Sequence, residues 1–182
     1  MPVEGQTGLV VPVPTADALL GLVESRHPGT VREGVPAHVS LLYPFVAAAE
    51  LDEQVIRALS ELVVGHEPMP VEFAECYRRG GFVALRPDPI ERLTELTRKA
   101  CERWPDLVPY EGLYGDVEPH VTVALRASEE TGLGGYLGQC EPQPVRISRR
   151  LATSFRSSSS SLPTAGARIP ALNCDDAYLT CW

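Results

Sequence analysis

Two stretches decide the reading of this chain: His38-Val39-Ser40-Leu41-Leu42-Tyr43-Pro44-Phe45 and Pro119-His120-Val121-Thr122-Val123-Ala124. Each opens with a histidine, an apolar residue, a hydroxyl residue and another apolar residue. Alternate side chains of a strand share a face. His38 and Ser40 therefore point one way and Val39 and Leu41 the other, as do His120 with Thr122 and Val121 with Val123. Two such strands side by side place two imidazoles and two hydroxyls around one cavity. That set suits a phosphate held between a general acid and a general base. With average compositions, about 0.03 of histidines match the pattern by chance, and roughly 0.006 doubly matching pairs are expected among four histidines. His27 and His66, followed by Pro28-Gly29 and Glu67-Pro68, do not match.

The chain as a whole is 182 residues of an ordinary globular composition, 44% hydrophobic and 22% charged. No apolar stretch approaches a membrane span, and the N-terminus lacks a basic region followed by an apolar one. A cytoplasmic protein without a membrane partner is expected, as a monomer. The five cysteines (76, 101, 140, 174, 181) form an odd set with no CxxC pair, read as reduced packing residues. His and Cys spacings fit no common zinc site, so neither a metal nor another cofactor is expected. The net charge of −8 argues against a grip on long duplex nucleic acid, whose partners usually carry a basic surface. A nucleic-acid partner would be a small nucleotide or an RNA end. Lys99 is the only lysine, and no GxxxxGK occurs, which disfavours ATP-dependent activation chemistry.

Periodicity places the elements. Leu9 to Val13 reads as a strand, followed by a helix capped by Thr15 with Ala16, Leu19, Leu20 and Val23 on one face. The first motif strand runs from about Ala37 to Phe45. Leu51, Val55, Ile56, Leu59, Leu62 and Val63 mark an amphipathic helix. Val71 to Cys76 and Phe82 to Arg86 form a hairpin about Arg79-Gly80-Gly81. Asp88-Pro89-Ile90-Glu91 reads as a helix start, capped by Asp88, with Leu93, Leu96, Thr97, Ala100, Cys101 and Trp104 on its inner face. A loop rich in Pro, Gly and Tyr (105–119) delivers the second motif strand, His120 to Arg126. A short helix is expected near Glu129. This order predicts an α+β or α/β fold with antiparallel pairing. The two motifs suggest two similar halves, each contributing one catalytic strand. Residues 1–155 read as one domain. Residues 156–182, with five serines at Ser157 to Ser161, read as an atypical tail: a linker plus a short final strand, Tyr178 to Trp182.

The tandem motifs resemble the two-histidine phosphoesterase superfamily, and more narrowly its 2′-5′ RNA ligase-like branch. The strand Gly81 to Arg86, the Pro-Asp-Pro helix start and Trp104-Pro105 before an aromatic loop are also similar. The resemblance covers about residues 8 to 126 and leaves the tail unmatched. It implies a bilobal α+β fold: two antiparallel sheets with outer helices, a pseudo-twofold axis and a central cleft. It also implies cleavage of 2′,3′-cyclic phosphates or related phosphodiesters, with 2′-5′ ligation as the reverse reaction. The catalytic histidines would be His38 and His120, and the phosphate-binding hydroxyls Ser40 and Thr122. The resemblance suggests that His120 activates water while His38 protonates the leaving oxygen. Tyr43, Tyr110 and Tyr114 are candidates for stacking on a base. Arg126, on the face of His120 and Thr122 if alternation holds, is a candidate for a second phosphate. Two other readings compete: a non-catalytic nucleotide-binding module of the same fold, and an unrelated interaction protein whose motifs coincide by chance.

Overall fold

The structure is a computed structural model and describes residues 5–64, 69–79, 81–115, 117–126, 145–154 and 176–181. Strand β1 (Thr7–Pro12) is buried along its whole length. It has a hydrogen-bonded neighbour on each side, β2 (His38–Leu42) and β7 (Asp176–Cys181), both antiparallel to it. Between β1 and β2 lies helix α1 (Asp17–Arg26), entered through a 3-10 turn over Pro14–Ala16. The expected Thr15 cap is not made. Pro14 starts the turn early, so Thr15 lies inside it, and no side chain caps Ala16, the residue before α1. Asp17 instead accepts a hydrogen bond from the Ala37 N–H at 2.7 Å, tying the start of α1 to the foot of β2.

β2 is shorter than the expected strand. It ends at Leu42, because Pro44 has no N–H to extend a ladder. Phe45 still enters the core, edge-on to Trp104 at 4.9 Å between ring centres. Helix α2 (Glu53–Val63) follows, capped by the Asp52 carboxylate, which accepts from the N–H groups of Gln54 and Val55. β3 (Met69–Arg79) and β4 (Phe82–Asp88) form the expected hairpin, with Arg79 opposite Phe82 at its tip. Helix α3 (Glu91–Arg103) buries Leu93, Leu96 and Ala100. Asp88 does not cap it. Asp88 is still paired in β4, opposite Glu72, so the helix begins later and without a side-chain cap. β5 (Val121–Leu125) is the second motif strand, and β6 (Val145–Ser154) and β7 complete the sheet. β7 spans Asp176–Cys181, where the sequence reading places a strand at Tyr178 to Trp182. The expected helix near Glu129 and the serine run lie outside the described residues.

The fold is α+β with a mostly antiparallel sheet. The strands follow one closed order, β1-β2-β5-β4-β3-β6-β7, and return to β1. Among the described residues, every strand pairing is antiparallel except β6 with β7, which is parallel. The hydrogen-bonding therefore does not divide the strands into the two separate antiparallel sheets expected from the resemblance. The core lies on the face of Val39, Leu41, Val121, Val123, Val83 and Leu85, against α1 and α3. The opposite face of β2, β5, β4 and β3 is left open, and both motifs lie on it.

Candidate active site

The two motif strands are direct neighbours, and Val39 sits opposite Val121. These are the middle residues of His-Val-Ser and His-Val-Thr. Continuing the antiparallel register by one residue each way sets His38 opposite Thr122 and Ser40 opposite His120. The two motifs are then related by a local twofold axis between the two valines. Val39 and Val121 are buried, whereas His38, Ser40, His120 and Thr122 are only half-buried and line one cleft. Diagonal neighbours on such a face lie about 7–8 Å apart, which brackets one phosphate between the imidazoles.

Each histidine is held in the same way. The Nδ1 of His38 lies 2.8 Å from the carbonyl oxygen of Pro36, and the Nδ1 of His120 lies 2.8 Å from that of Glu118. A carbonyl can only accept, so Nδ1 carries the proton and Nε2 is the atom that exchanges protons with a substrate. Burial pulls both imidazoles below the ordinary histidine value. The carbonyl bonds oppose this, while Arg32 and His120 lower His38 further and Arg79 lowers His120 further. His38 thus feels the charge of His120 across the cleft.

The cleft has a volume of about 460 Å³, within the usual range for small-molecule sites. β4 continues its floor. Ala84, opposite Thr122 and fully buried, fills little space beneath the hydroxyls. Phe82 packs its ring on His120, with centres 5.3 Å apart. From β3, Tyr77 and Arg79 reach the same cavity. The other end is made by loops. Arg32 arrives on the segment between α1 and β2, which is pinned at several points. The Glu24 carboxylate accepts from the N–H groups of Gly29 and Val31, and the Thr30 carbonyl accepts from Leu125. Tyr43, Tyr110 and Tyr114 form a chain of tilted rings with centres 6.0 and 5.6 Å apart. Glu111 and Glu118 also line the cleft, and Glu118 pairs with Arg86 at 3.4 Å on the surface.

Of the residues expected from the sequence, His38, Ser40, His120, Thr122, Tyr43, Tyr110 and Tyr114 line this single cleft. Arg126 does not. An irregularity in the β4–β5 register between Val83 and Ala84 breaks the alternation of β5, and Val123 and Ala124 are both buried. The strand stops at Leu125, and Arg126 is exposed with φ 56. Sequence reasoning missed Arg32, Arg79 and Phe82. The hairpin pattern held a signal for two of them, since Arg79 and Phe82 flank its turn. Arg32 has no local signal, because the Glu24 bonds set its loop.

A face with paired His-x-Ser and His-x-Thr strands on an α+β frame defines the two-histidine class of phosphoesterase folds. The family model described as the 2′-5′ RNA ligase superfamily matches residues 12–133. The chain belongs to that superfamily. No curated protein matches the chain. Among the described residues, no helix is long and apolar enough to cross a membrane.

Proposed function

We propose that this protein is a metal-independent phosphodiesterase acting on 2′,3′-cyclic phosphate ends of RNA or on small cyclic nucleotides. Joining RNA ends through a 2′-5′ link is the same opening of the cyclic phosphate with an RNA 5′-hydroxyl in place of water, and its reverse is cleavage of a 2′-5′ bond. The observation that carries this reading is the Val39–Val121 register, which puts His-Ser against Thr-His on one open face. In the hydrolytic direction one imidazole takes a proton from water at Nε2 as the water oxygen bonds to phosphorus. The other gives its proton to the leaving ribose oxygen as that P–O bond breaks. The roles swap in reverse. The Ser40 and Thr122 hydroxyls donate to the non-bridging oxygens, where charge builds up. Following the resemblance, His120 is the base and His38 the acid. A local twofold axis between β2 and β5 also supports a two-lobed reading, each lobe giving one catalytic strand. Arg32 and Arg79, on either side of the histidines, support an anionic substrate within a chain of net charge −8. The same reading takes the protein as a cytoplasmic monomer that needs no cofactor.

The test is a screen of cyclic phosphodiesters, including nucleoside 2′,3′-cyclic phosphates and RNA ending in one. Wild type and the His38→Ala/His120→Ala double variant are run in parallel, with and without EDTA. Turnover by wild type alone, unchanged by chelator, is the expected result. Nucleotide binding without turnover in a sensitive assay would select the non-catalytic module instead.

A further inference from the structure

We infer that Tyr110 is a positioning residue that holds the Ser40 hydroxyl on the phosphate, doing for Ser40 what the γ-methyl does for Thr122. The inference rests on the two-histidine reading above and adds to it a residue outside both motifs.

The argument starts from the one chemical difference between the paired motifs. Thr122 is β-branched, so its χ1 has few choices in a strand. Ser40 has no second substituent on Cβ, and its hydroxyl can rotate among three staggered positions. A phosphate between two hydroxyls needs both aimed at it, since a misplaced donor forfeits much of its effect in the transition state. Ser40 therefore needs an external constraint, and the structure holds one.

Tyr110 lies in the 3-10 segment Pro109–Gly112 and lines the cleft beside Ser40. Its N–H donates to the Tyr43 carbonyl at 2.6 Å, which anchors it to the chain three residues beyond Ser40. Tyr110 and Glu111 both have left-handed backbones, φ 50 and φ 54. Such angles are uncommon for residues other than glycine and persist where surrounding structure enforces them. This costly turn brings the phenol into the cleft beside Ser40, whose hydroxyl bears on the phenol's titration. Burial raises the phenol above its ordinary range, with Ser40 acting the other way, so Tyr110 keeps its proton at neutral pH. The phenol can therefore donate to Ser40 Oγ while the Ser40 proton turns to a phosphate oxygen. Among the described residues, no corresponding hydroxyl serves Thr122. On that side Phe82 has none, and Tyr77, which also lines the cleft, makes no hydrogen bond to Thr122. The ring of Tyr110 is already packed between Tyr43 and Tyr114. Its expected use as a stacking platform for a base passes to Tyr114, which is 65% exposed.

The experiment compares kcat and KM on the best cyclic phosphodiester for wild type, Tyr110→Phe, Ser40→Thr and the Ser40→Thr/Tyr110→Phe double variant. Phe keeps the ring contacts, and thermal melts of all four report folding. Tyr110→Phe in the Ser40 background should lower kcat about tenfold with little change in KM. In the Ser40→Thr background the same substitution should cost less than about threefold, because the new methyl fixes the rotamer. Thr122→Ser tests the idea without touching Tyr110. It frees an unassisted hydroxyl and should lower kcat several-fold. An equal Tyr110→Phe penalty in both backgrounds, or a silent Thr122→Ser, overturns the positioning role while leaving the two-histidine mechanism standing. Absence of turnover by wild type on every diester overturns both.

Discussion

The two half-sites carry the same chemistry on different supports. His38 and His120 each follow a Val-partnered strand pattern and each lean on a carbonyl two residues back. Around them the likeness stops. His120 is backed by sheet: Phe82 on β4 packs against its ring, and Arg79 on β3 stands nearby. His38 and Ser40 are backed by loops that deliver Arg32, Tyr43 and Tyr110. Both motif strands sit in ladders, β2 also against β1, but the wall beside His38 is made of loops fixed by specific hydrogen bonds. A reaction with one acid and one base needs this combination. The reacting groups can be alike, but their surroundings must differ so that one substrate orientation wins. Strands give the more precise placement, and loops the more adjustable one.

The largest effect tests whether the halves differ in role. His38→Ala and His120→Ala should each lower kcat by about 10²–10⁴ on a cyclic phosphate. They should part on a diester with a p-nitrophenolate leaving group, which departs without a proton. If His38 is the acid, His38→Ala should recover most of its loss there and His120→Ala should not. Recovery by His120→Ala alone would reverse the assignment. Equal behaviour of the two variants would erase the distinction between the half-sites.

A smaller effect concerns the two guanidiniums. Arg32→Met and Arg79→Met should each raise KM by about tenfold, the loss of a charge-assisted contact, and leave kcat within about threefold. Rising salt should weaken wild type toward the variants, because exposed charges are screened. A kcat loss at constant KM would instead make the arginine part of the transition-state machinery. The comparison adds a finer expectation. Arg79 stands at the tip of a paired hairpin, whereas the loop of Arg32 depends on Glu24. Glu24→Gln should therefore reproduce part of the Arg32→Met effect and none of the Arg79→Met effect.

The same contrast explains what was legible in the sequence. The strand-borne parts were readable, because alternation and turn residues are local signals: His38, Ser40, His120, Thr122 and the β3–β4 hairpin. The helix faces were readable in part: Leu93, Leu96 and Ala100 of α3 and Leu59 and Val63 of α2 are buried, whereas Ile56, expected on the inner face, is exposed. Local signals failed where pairing partners intervened. Asp88 has the sequence of a cap but belongs to β4 through its pairing with Glu72. Arg126 fits the alternation of β5 until the irregularity opposite Val83 and Ala84 breaks it. The loop-borne parts were hardly readable. Arg32 depends on a carboxylate eight residues earlier, and the contact of Tyr110 with Ser40 joins residues seventy apart. The closed strand order is also a product of distant pairing, since β7 meets β1 across almost the whole chain.

The smallest effect is in the pH profile, and its sign follows from burial. Both imidazoles titrate below the ordinary value of about 6.5. In the free enzyme, kcat/KM requires one ring protonated and the other neutral, so it falls below the lower pKa and above the higher one. Lowering both moves both limbs toward acid, and the bell should centre below about pH 6.5. A bound phosphodiester carries a negative charge that favours the imidazolium, so the limbs of kcat should lie above those of kcat/KM. The arginines then sharpen the contrast between the halves. Arg32 lowers His38 and Arg79 lowers His120. Removing either positive charge relieves its own histidine, so Arg32→Met should raise the limb that belongs to His38 and Arg79→Met the limb that belongs to His120. If the two variants move different limbs, each half-site titrates as its own unit. If both move the same limb, the two rings share their proton as a coupled pair, and the difference in their supports does not reach the chemistry.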